Sequence, residues 1–246
     1  MSPRRVDYYQ ERKDLVLGIV VNEYIKTIGP VSSGFIAQGY HMDISPATIR
    51  NILAELEQEG YLTHPHTSAG RIPTQLGYRY YVDHLMHEIQ LLGDEKERIK
   101  AAYQKEVKDL EFLLEKTSQV ISDFTQYTSI ISVDGWNDKI FCKGTSYVVG
   151  YPEVQDFSKI RDILRALEEK ENILSIINRD LERNINIFIG HELAYSEMNN
   201  CSLAVSRYQS EHGPSGRIAL LGPTCMNYER VVSTLEYFSQ LMSEVL

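Results

Sequence analysis

Arginine and asparagine stand side by side in the segment SPATIRNILAELEQEG, residues 45–60, and both side chains form paired hydrogen bonds. Arg50 presents a planar fork of N–H donors, and Asn51 presents a donor beside an acceptor. These groups match the purine edges of base pairs: arginine bridges O6 and N7 of guanine, and asparagine bridges N6 and N7 of adenine. Small residues at Ala47 and Ala54 would let the backbone come close to a base edge. The segment therefore predicts sequence-specific contact with DNA.

The same segment has the features of a helix. Ser45 is a natural N-cap, Pro46 takes the first helical position, and Gly60 supplies the C-terminal stop. Helical periodicity gathers four apolar residues on one face, which must pack on the rest of the domain: Ile49, Ile52, Leu53 and Leu56. The opposite face carries Ala47, Arg50, Asn51, Ala54 and Gln58. Ser45 and Thr48, in the first turn, complete the predicted DNA contacts of this helix.

A solvated surface face is the alternative, and for one arginine and one asparagine alone it is the better account. The next segment, YLTHPHTSAGRIPT, residues 61–74, changes this balance because it predicts a strand, a turn and a second strand. Beside a duplex, the hydroxyls and backbone of this turn could meet phosphates, and Arg71 could enter the minor groove. The predicted contacts of the turn are His66, Thr67, Ser68, Gly70 and Arg71.

The histidines of this region raise a second chemistry, a metal site. His64 and His66, with His84 and His87, would need a fixed ligand geometry that this polar turn does not promise. The sequence therefore predicts neither a metal nor a cofactor.

Two further helices precede the segment 45–60. DLVLGIVVNEYIKTI, residues 14–28, predicts a helix that ends at Gly29-Pro30, with Leu15, Ile19, Val20 and Tyr24 on its buried face. VSSGFIAQGYHMD predicts a short second helix capped by Ser32 or Ser33, and LGYRYYVDHLMHEI resumes helical periodicity after the hairpin. Three helices and a hairpin predict a winged helix-turn-helix over residues 1–90.

Charge and cysteine content bound the other possibilities. The formal net charge is −9 and the pI about 5.3, which argues against general electrostatic binding of DNA, so any contact must be local. Residues 1–90 hold eight Lys and Arg against ten Asp and Glu, about −2, so most of the acid lies beyond them. Three separated cysteines suit neither a disulfide framework nor a zinc ribbon. With no apolar leader or membrane-spanning run, the sequence predicts a cytoplasmic protein without membrane contact.

Residues 91–130 predict a long connecting helix, because the stretch 94–127 has no Gly or Pro and is rich in helix formers. One seam of alternating four- and three-residue spacings predicts a dimerisation face: Tyr103, Val107, Leu110, Leu114, Thr117, Ile121 and Phe124. The alternative, that this helix packs on its own domain, remains open.

Residues 131–246 predict a small α+β domain. The predicted strands are KIFCKGTSYVVG, INIFIG, CSLAVSRY and GRIALLG, and the predicted helices are DFSKIRDILRALEEKENILSIINRDL and NYERVVSTLEYFSQLMSEVL. A hydrolase is the alternative from another class. It is disfavoured because HELAY, which contains His191 and Glu192, lacks the second histidine of H-E-x-x-H, and no base is visible for Cys225.

Two blocks of sequence resemble one known family. SPATIRNILAELEQEGYLTHPHTSAGRIPTQLGYRYYVDHLM strongly resembles the heat-inducible transcription repressor HrcA. GTSYVVGYPEVQDFSKIRDIL, IFIGHE, CSLAVSRY and GRIALLGPTCMNYERVV resemble the C-terminal half of that family in the same order. Together the blocks cover most of the chain. The chain departs from the family pattern at Cys225 and Asn227, where arginine and aspartate are usual.

The resemblance implies a repressor of chaperonin and chaperone genes that binds an inverted-repeat operator as a homodimer and depends on a GroE-type chaperonin. It also implies a GAF-like domain interrupted by an inserted dimerisation domain. Here only SIISVDGWNDKIFCKG joins the long helix to the C-terminal block, so the insertion and part of the GAF-like domain are predicted to be missing. The alternative is a ligand-responsive winged-helix regulator of another operon. No enzymatic activity is predicted.

Overall fold

The structure is a computed structural model that describes residues 3–40, 44–65, 70–87, 89–103, 110–136, 139–152, 154, 156–179, 184–210 and 213–246. The chain divides into two compact units, Met1–His87 and Glu88–Leu246. Helices and strands occur in both units, so the mixed α+β class is confirmed. Over the described ranges, no helix combines the length and apolar character that crossing a membrane requires.

Helix α1 of the first unit spans Pro3–Thr27 and begins well before the predicted start at residue 14. Residues 4–13, ahead of the predicted start, contain no Gly or Pro, and Pro3 itself is tolerated in a first helical turn. The predicted buried face is wrong at Leu15, which is 53% exposed, whereas its neighbours Val16 and Leu17 are buried. One helical position rotates a side chain by about 100°, enough to move it from the core to solvent.

Helices α2, Ser33–Gly39, and α3, Pro46–Gln58, follow the predicted capping. The Ser32 hydroxyl accepts a hydrogen bond from the Phe35 N–H at 3.2 Å, and the Ser45 hydroxyl accepts one from the Thr48 N–H at 3.1 Å. Gly60 follows α3 with a φ of +82°, the left-handed conformation that ends a helix. The four predicted apolar residues of α3 are all buried, which confirms its orientation: Ile49, Ile52, Leu53 and Leu56.

A short antiparallel hairpin completes the core of the first unit. Strands β1, Leu62–Thr63, and β2, Ile72–Pro73, pair as predicted. Arg71 also forms an antiparallel bridge with Val31, so a third backbone segment joins the hairpin. Helix α4, Gln75–Tyr80, follows and continues as a π-helical turn over Tyr81–Leu85.

The second unit begins with helices α5, Gly93–Tyr103, and α6, Leu110–Thr125. Residues 104–109 of the predicted connecting helix lie outside the described residues. Helices α7, Phe157–Glu168, and α8, Lys170–Ile177, replace the single helix expected there, since Glu169 between them has a ψ of 79°. Helix α9 spans Tyr228–Val245, close to the predicted range.

Five strands of the described second unit form one antiparallel sheet in the order β4-β3-β7-β6-β5. Their bounds are β3 Thr128–Val133, β4 Ile140–Lys143, β5 Ile185–Ile189, β6 Cys201–Tyr208 and β7 Gly216–Pro223. Strand β3 was not predicted, although it lies between β4 and β7. The predicted strand 139–150 is wrong in its second half, because Thr145–Gly150 forms a 3₁₀ helix after Gly144, whose φ is +78°.

Both faces of this sheet carry helices. On one face, alternate strand residues such as Ile130, Leu203 and Leu221 share a core with side chains of α7 and α8. On the other face, Ser202 hydrogen-bonds Tyr228 of α9 at 2.9 Å, and Ser118 of α6 donates to the Ser129 carbonyl at 3.1 Å. Successive strand residues point to opposite faces, so one sheet supports two cores.

Candidate nucleic-acid interface

The outward face of α3 is the candidate interface. Its members are all exposed: Ser45, Ala47, Arg50, Asn51, Ala54 and Gln58. Thr48 is half-buried and hydrogen-bonds the Ser45 side chain through its hydroxyl at 2.9 Å. Arg50 forms no ion pair with any described residue. The structure thus brings the predicted α3 residues together on one accessible surface, with a guanidinium that no described carboxylate engages.

Two carboxylates at the C-terminal end of α3, Glu55 within the helix and Glu59 directly after it, contact side chains of α1. Glu55 accepts a hydrogen bond from the Tyr9 hydroxyl at 2.7 Å, and Lys13 pairs with Glu59 at 2.5 Å and with Glu55 at 3.9 Å. Lys13 is only 7% exposed, so α1 supplies a nearly buried positive charge to this end of α3. These contacts compensate acid that would otherwise repel phosphate beside Arg50.

The pKa of Tyr9 is raised to about 12, mainly by burial of the phenol and further by the neighbouring Glu55 carboxylate. The phenol therefore stays protonated at neutral pH and remains a donor to Glu55. The contact attaches α1 to α3 and helps to fix the orientation of the outward face.

Glu57, the second carboxylate of α3, contacts the hairpin. One oxygen pairs with the Arg71 guanidinium at 2.8 Å, and the other contacts Nδ1 of His64. The pKa of Glu57 is lowered most by the contact with His64, and the charge of Arg71 lowers it further. The carboxylate is therefore ionised at neutral pH. Sequence reasoning missed Glu57, because its partners lie 7 and 14 residues away across a turn and no local spacing announces them.

Two of the predicted hairpin contacts, Arg71 and Gly70, lie within the described residues. Arg71 lies at the base of β2 with its side chain 21% exposed and folded onto Glu57, so it does not project from the turn. Gly70 is buried, and a Cβ there would stand 2.7 Å from Cβ of Pro30. Gly70 therefore permits close packing on Pro30 and offers no surface to a ligand. His66, Thr67 and Ser68 lie outside the described residues.

The predicted dimerisation seam is divided by the structure. Leu114 and Ile121 are fully buried within the second unit, so the alternative of packing on their own domain accounts for them. Phe124 is half-buried, and the Arg230 guanidinium lies 4.4 Å from its ring centroid. Leu110 is half-buried. The side chain of Tyr103 and all of Val107 fall outside the described residues.

Two residues considered for a hydrolase site, Cys225 and Glu192, are buried or hydrogen-bonded within the second unit. Cys225 is 4% exposed. Glu192 accepts a hydrogen bond from the Ile189 N–H at 2.8 Å, which closes the turn after β5. Asn227, one of the two departures from the family pattern, caps α9 by accepting from the Arg230 N–H at 3.0 Å.

Comparison with known proteins gives a consistent result. A family model described as HrcA protein C terminal domain matches residues 133–232. A heat-inducible transcription repressor HrcA from Carboxydothermus hydrogenoformans is 30% identical over 334 residues, which cover 96% of this chain and 98% of that protein. The protein of the same description from Symbiobacterium thermophilum is 28% identical over 334 residues, with the same coverage.

These alignments are longer than the chain itself. They extend over 334 residues against 246 here, a difference of 88, so at least that many positions of each relative have no counterpart. Because the matches reach 98% of each relative, the missing positions are internal. A crystal structure described as that of a hypothetical protein shares the fold, with a TM-score of 0.72 at 19% identity, covering 95% of this chain and 97% of that one.

Proposed function

Because the chain belongs to the HrcA family of heat-inducible transcription repressors, we propose that its first unit is a winged helix-turn-helix that binds operator DNA through helix α3. The family is one of transcription repressors and not of enzymes. The observation that carries the proposal is the outward face of α3, where small residues flank Arg50 and Asn51 while the helix's carboxylates are paired elsewhere.

The arrangement of the first unit supports this assignment. Helix α3 follows the short helix α2 after a brief connection and buries one apolar stripe, which leaves the other side free to enter a major groove. The hairpin β1–β2, widened by the bridge from Val31 to Arg71, forms the wing. We place Arg50 and Asn51 at base edges and the Ser45 hydroxyl, at the helix N-terminus, near a phosphate.

The second unit is proposed to be a reduced GAF-like domain. Its antiparallel sheet with helices on both faces agrees with the family match over residues 133–232, and the missing internal positions agree with loss of an inserted domain. The family match favours control of heat-shock genes over the ligand-responsive regulator considered from the sequence.

Operator binding should require two copies of the chain, since an inverted repeat matches a two-fold protein. We expect a duplex with the full inverted repeat of the family to bind about a hundredfold more tightly than one with a single half-site. Fluorescence anisotropy with both duplexes and a scrambled control measures this ratio, and sedimentation measures the stoichiometry. Equal affinity for all three duplexes would contradict the proposal.

Leu110 tests which part of the seam joins the copies. With Leu114 and Ile121 buried, the seam residues left to the proposal are Leu110 and Phe124, both half-buried, together with Tyr103 and Val107, whose side chains lie outside the described residues. We propose these as the interface. Leu110→Asp should therefore weaken the dimer and full-site binding while half-site binding stays unchanged. A Leu110→Asp protein that remains dimeric would move the interface elsewhere.

Repression is proposed to follow the folding state of the protein, with a GroE-type chaperonin raising the active fraction. The net stability of a domain is a small difference between large terms, so a few kcal/mol lost on heating shifts the population away from the binding form. Protein diluted from denaturant should recover more operator binding with chaperonin and ATP than without them. Full recovery without chaperonin, stable well above the growth temperature, would defeat this mechanism and leave the DNA-binding proposal intact.

A further inference from the structure

We propose that Glu57 positions the wing on the recognition helix, and that Arg71 serves this contact instead of binding DNA. The inference rests on the proposed function for its DNA readout, but it concerns residues whose contacts lie within the free protein. It replaces the sequence-based expectation that Arg71 enters the minor groove.

One carboxylate holds both ends of the wing. His64 follows β1 directly and Arg71 precedes β2 directly, so the two residues flank the turn between the strands. Glu57 contacts His64 with one oxygen and Arg71, at 2.8 Å, with the other. Because Glu57 stands on the last turns of α3, these two contacts oppose a displacement of the wing relative to that helix.

The backbone at Arg71 is also hydrogen-bonded to a third segment of the first unit. Its N–H donates to the Val31 carbonyl at 2.8 Å, and its carbonyl accepts from the Val31 N–H at 2.9 Å. Gly70, next to it, lies against Pro30 so closely that a Cβ would clash. Because the main chain is held there, the Arg71 side chain extends from a fixed Cα position. From that position its guanidinium reaches α3, where the side chain is 21% exposed.

Charge gives the contact a second role. An ionised carboxylate on a helix that approaches DNA repels phosphates unless a cation compensates it. Arg71 supplies that cation beside Glu57. On this account the pair contributes to affinity by wing placement and by neutralisation, and it releases no counterion from DNA.

The two possible roles of Arg71 predict opposite results for Glu57. If Arg71 is a positioning residue, loss of Glu57 or of Arg71 breaks the same contact, and the double variant is no worse than either single variant. If Arg71 instead contacts a phosphate, loss of Glu57 frees it and removes a competing negative charge. Binding would then be unchanged or tighter.

The experiment compares Glu57→Gln, Arg71→Gln and the double variant in the full chain. Affinity for the full inverted repeat is measured across a range of salt concentrations, and amide exchange at Val31 and Arg71 is measured without DNA. We expect each single variant to bind about threefold to tenfold more weakly, the double variant to be no weaker than either, and the salt slope to stay unchanged. Exchange at both amides should be faster in all three. Glu57→Asp should recover part of the affinity.

Asp83→Asn is the matched control. It removes one negative charge from the same unit and breaks the ion pair of Asp83 with Arg79, 3.2 Å apart on α4 and the following turn, while the Glu57–Arg71 ion pair stays in place. It should alter neither wing exchange nor affinity.

Either of two binding results would overturn the inference: a salt slope lowered by about one unit in Arg71→Gln, or wild-type or tighter binding by Glu57→Gln. Unchanged amide exchange in every variant would also contradict it. If the wild-type chain binds no operator, the proposed function fails, while the exchange data still decide whether Glu57 holds the wing.

Discussion

Replacement of Leu114 by aspartate is expected to abolish the native fold of the second unit. Leu114 is fully buried on α6, the helix whose Ser118 reaches the carbonyl of Ser129 in β3. Burying an unpaired carboxylate costs several kcal/mol, and the side chain also loses its apolar contacts. The free energy of unfolding of a domain is only about 5–15 kcal/mol, so this single change removes much of the stability of the second unit. Urea unfolding followed by circular dichroism measures the loss.

Two variants separate burial from dimerisation. Leu114→Met keeps the volume and apolar character of the side chain and should cost less than about 1.5 kcal/mol. Leu110→Asp places the same charge at a half-buried position one turn earlier on α6 and should fold. A Leu114→Asp protein with wild-type unfolding but monomeric sedimentation would contradict this expectation and place Leu114 between subunits.

Arg50→Ala is expected to cost about 1–3 kcal/mol in affinity for the specific operator and to flatten discrimination at one base position per half-site. The physical reason is that the exposed Arg50 guanidinium, which no described carboxylate engages, is proposed to bridge two acceptors on one guanine. Affinity for random duplex should fall much less. The measurement is a set of operator duplexes, each with one substituted base pair, titrated with both proteins under identical salt.

Arg50→Lys provides the informative control. It keeps the positive charge but loses the planar fork, so it should retain binding to random DNA while discrimination at that position stays poor. Gln58→Ala, exposed on the same helix near its C-terminal end, tests whether any polar change on α3 has the same effect. Equal loss on specific and random duplexes in Arg50→Ala would make Arg50 a phosphate contact instead of a base reader.

The sequence by itself determined helix α3 almost completely. Its cap at Ser45, its stop at Gly60 and its buried stripe depend on neighbours within a few residues, so local rules of hydrogen bonding and periodicity suffice. The exposure of Arg50 and Asn51 follows from that stripe, because a helix buried on one side presents the other. Strands β5, β6 and β7 were predicted for a similar reason, since continuous apolar runs bounded by turn residues report their own burial.

Only the tertiary structure decided what depends on partners distant in sequence. The sequence left Leu114 equally suited to a subunit interface or a core, because both environments select the same apolar spacing. The sheet beneath α6 makes it core. From the sequence Arg71 is only a cation beside a turn, and its ion pair with Glu57 forms because the wing packs on α3. The sequence shows whether a side chain is apolar or charged. Which group buries or neutralises that side chain depends on segments that come together only in the folded protein.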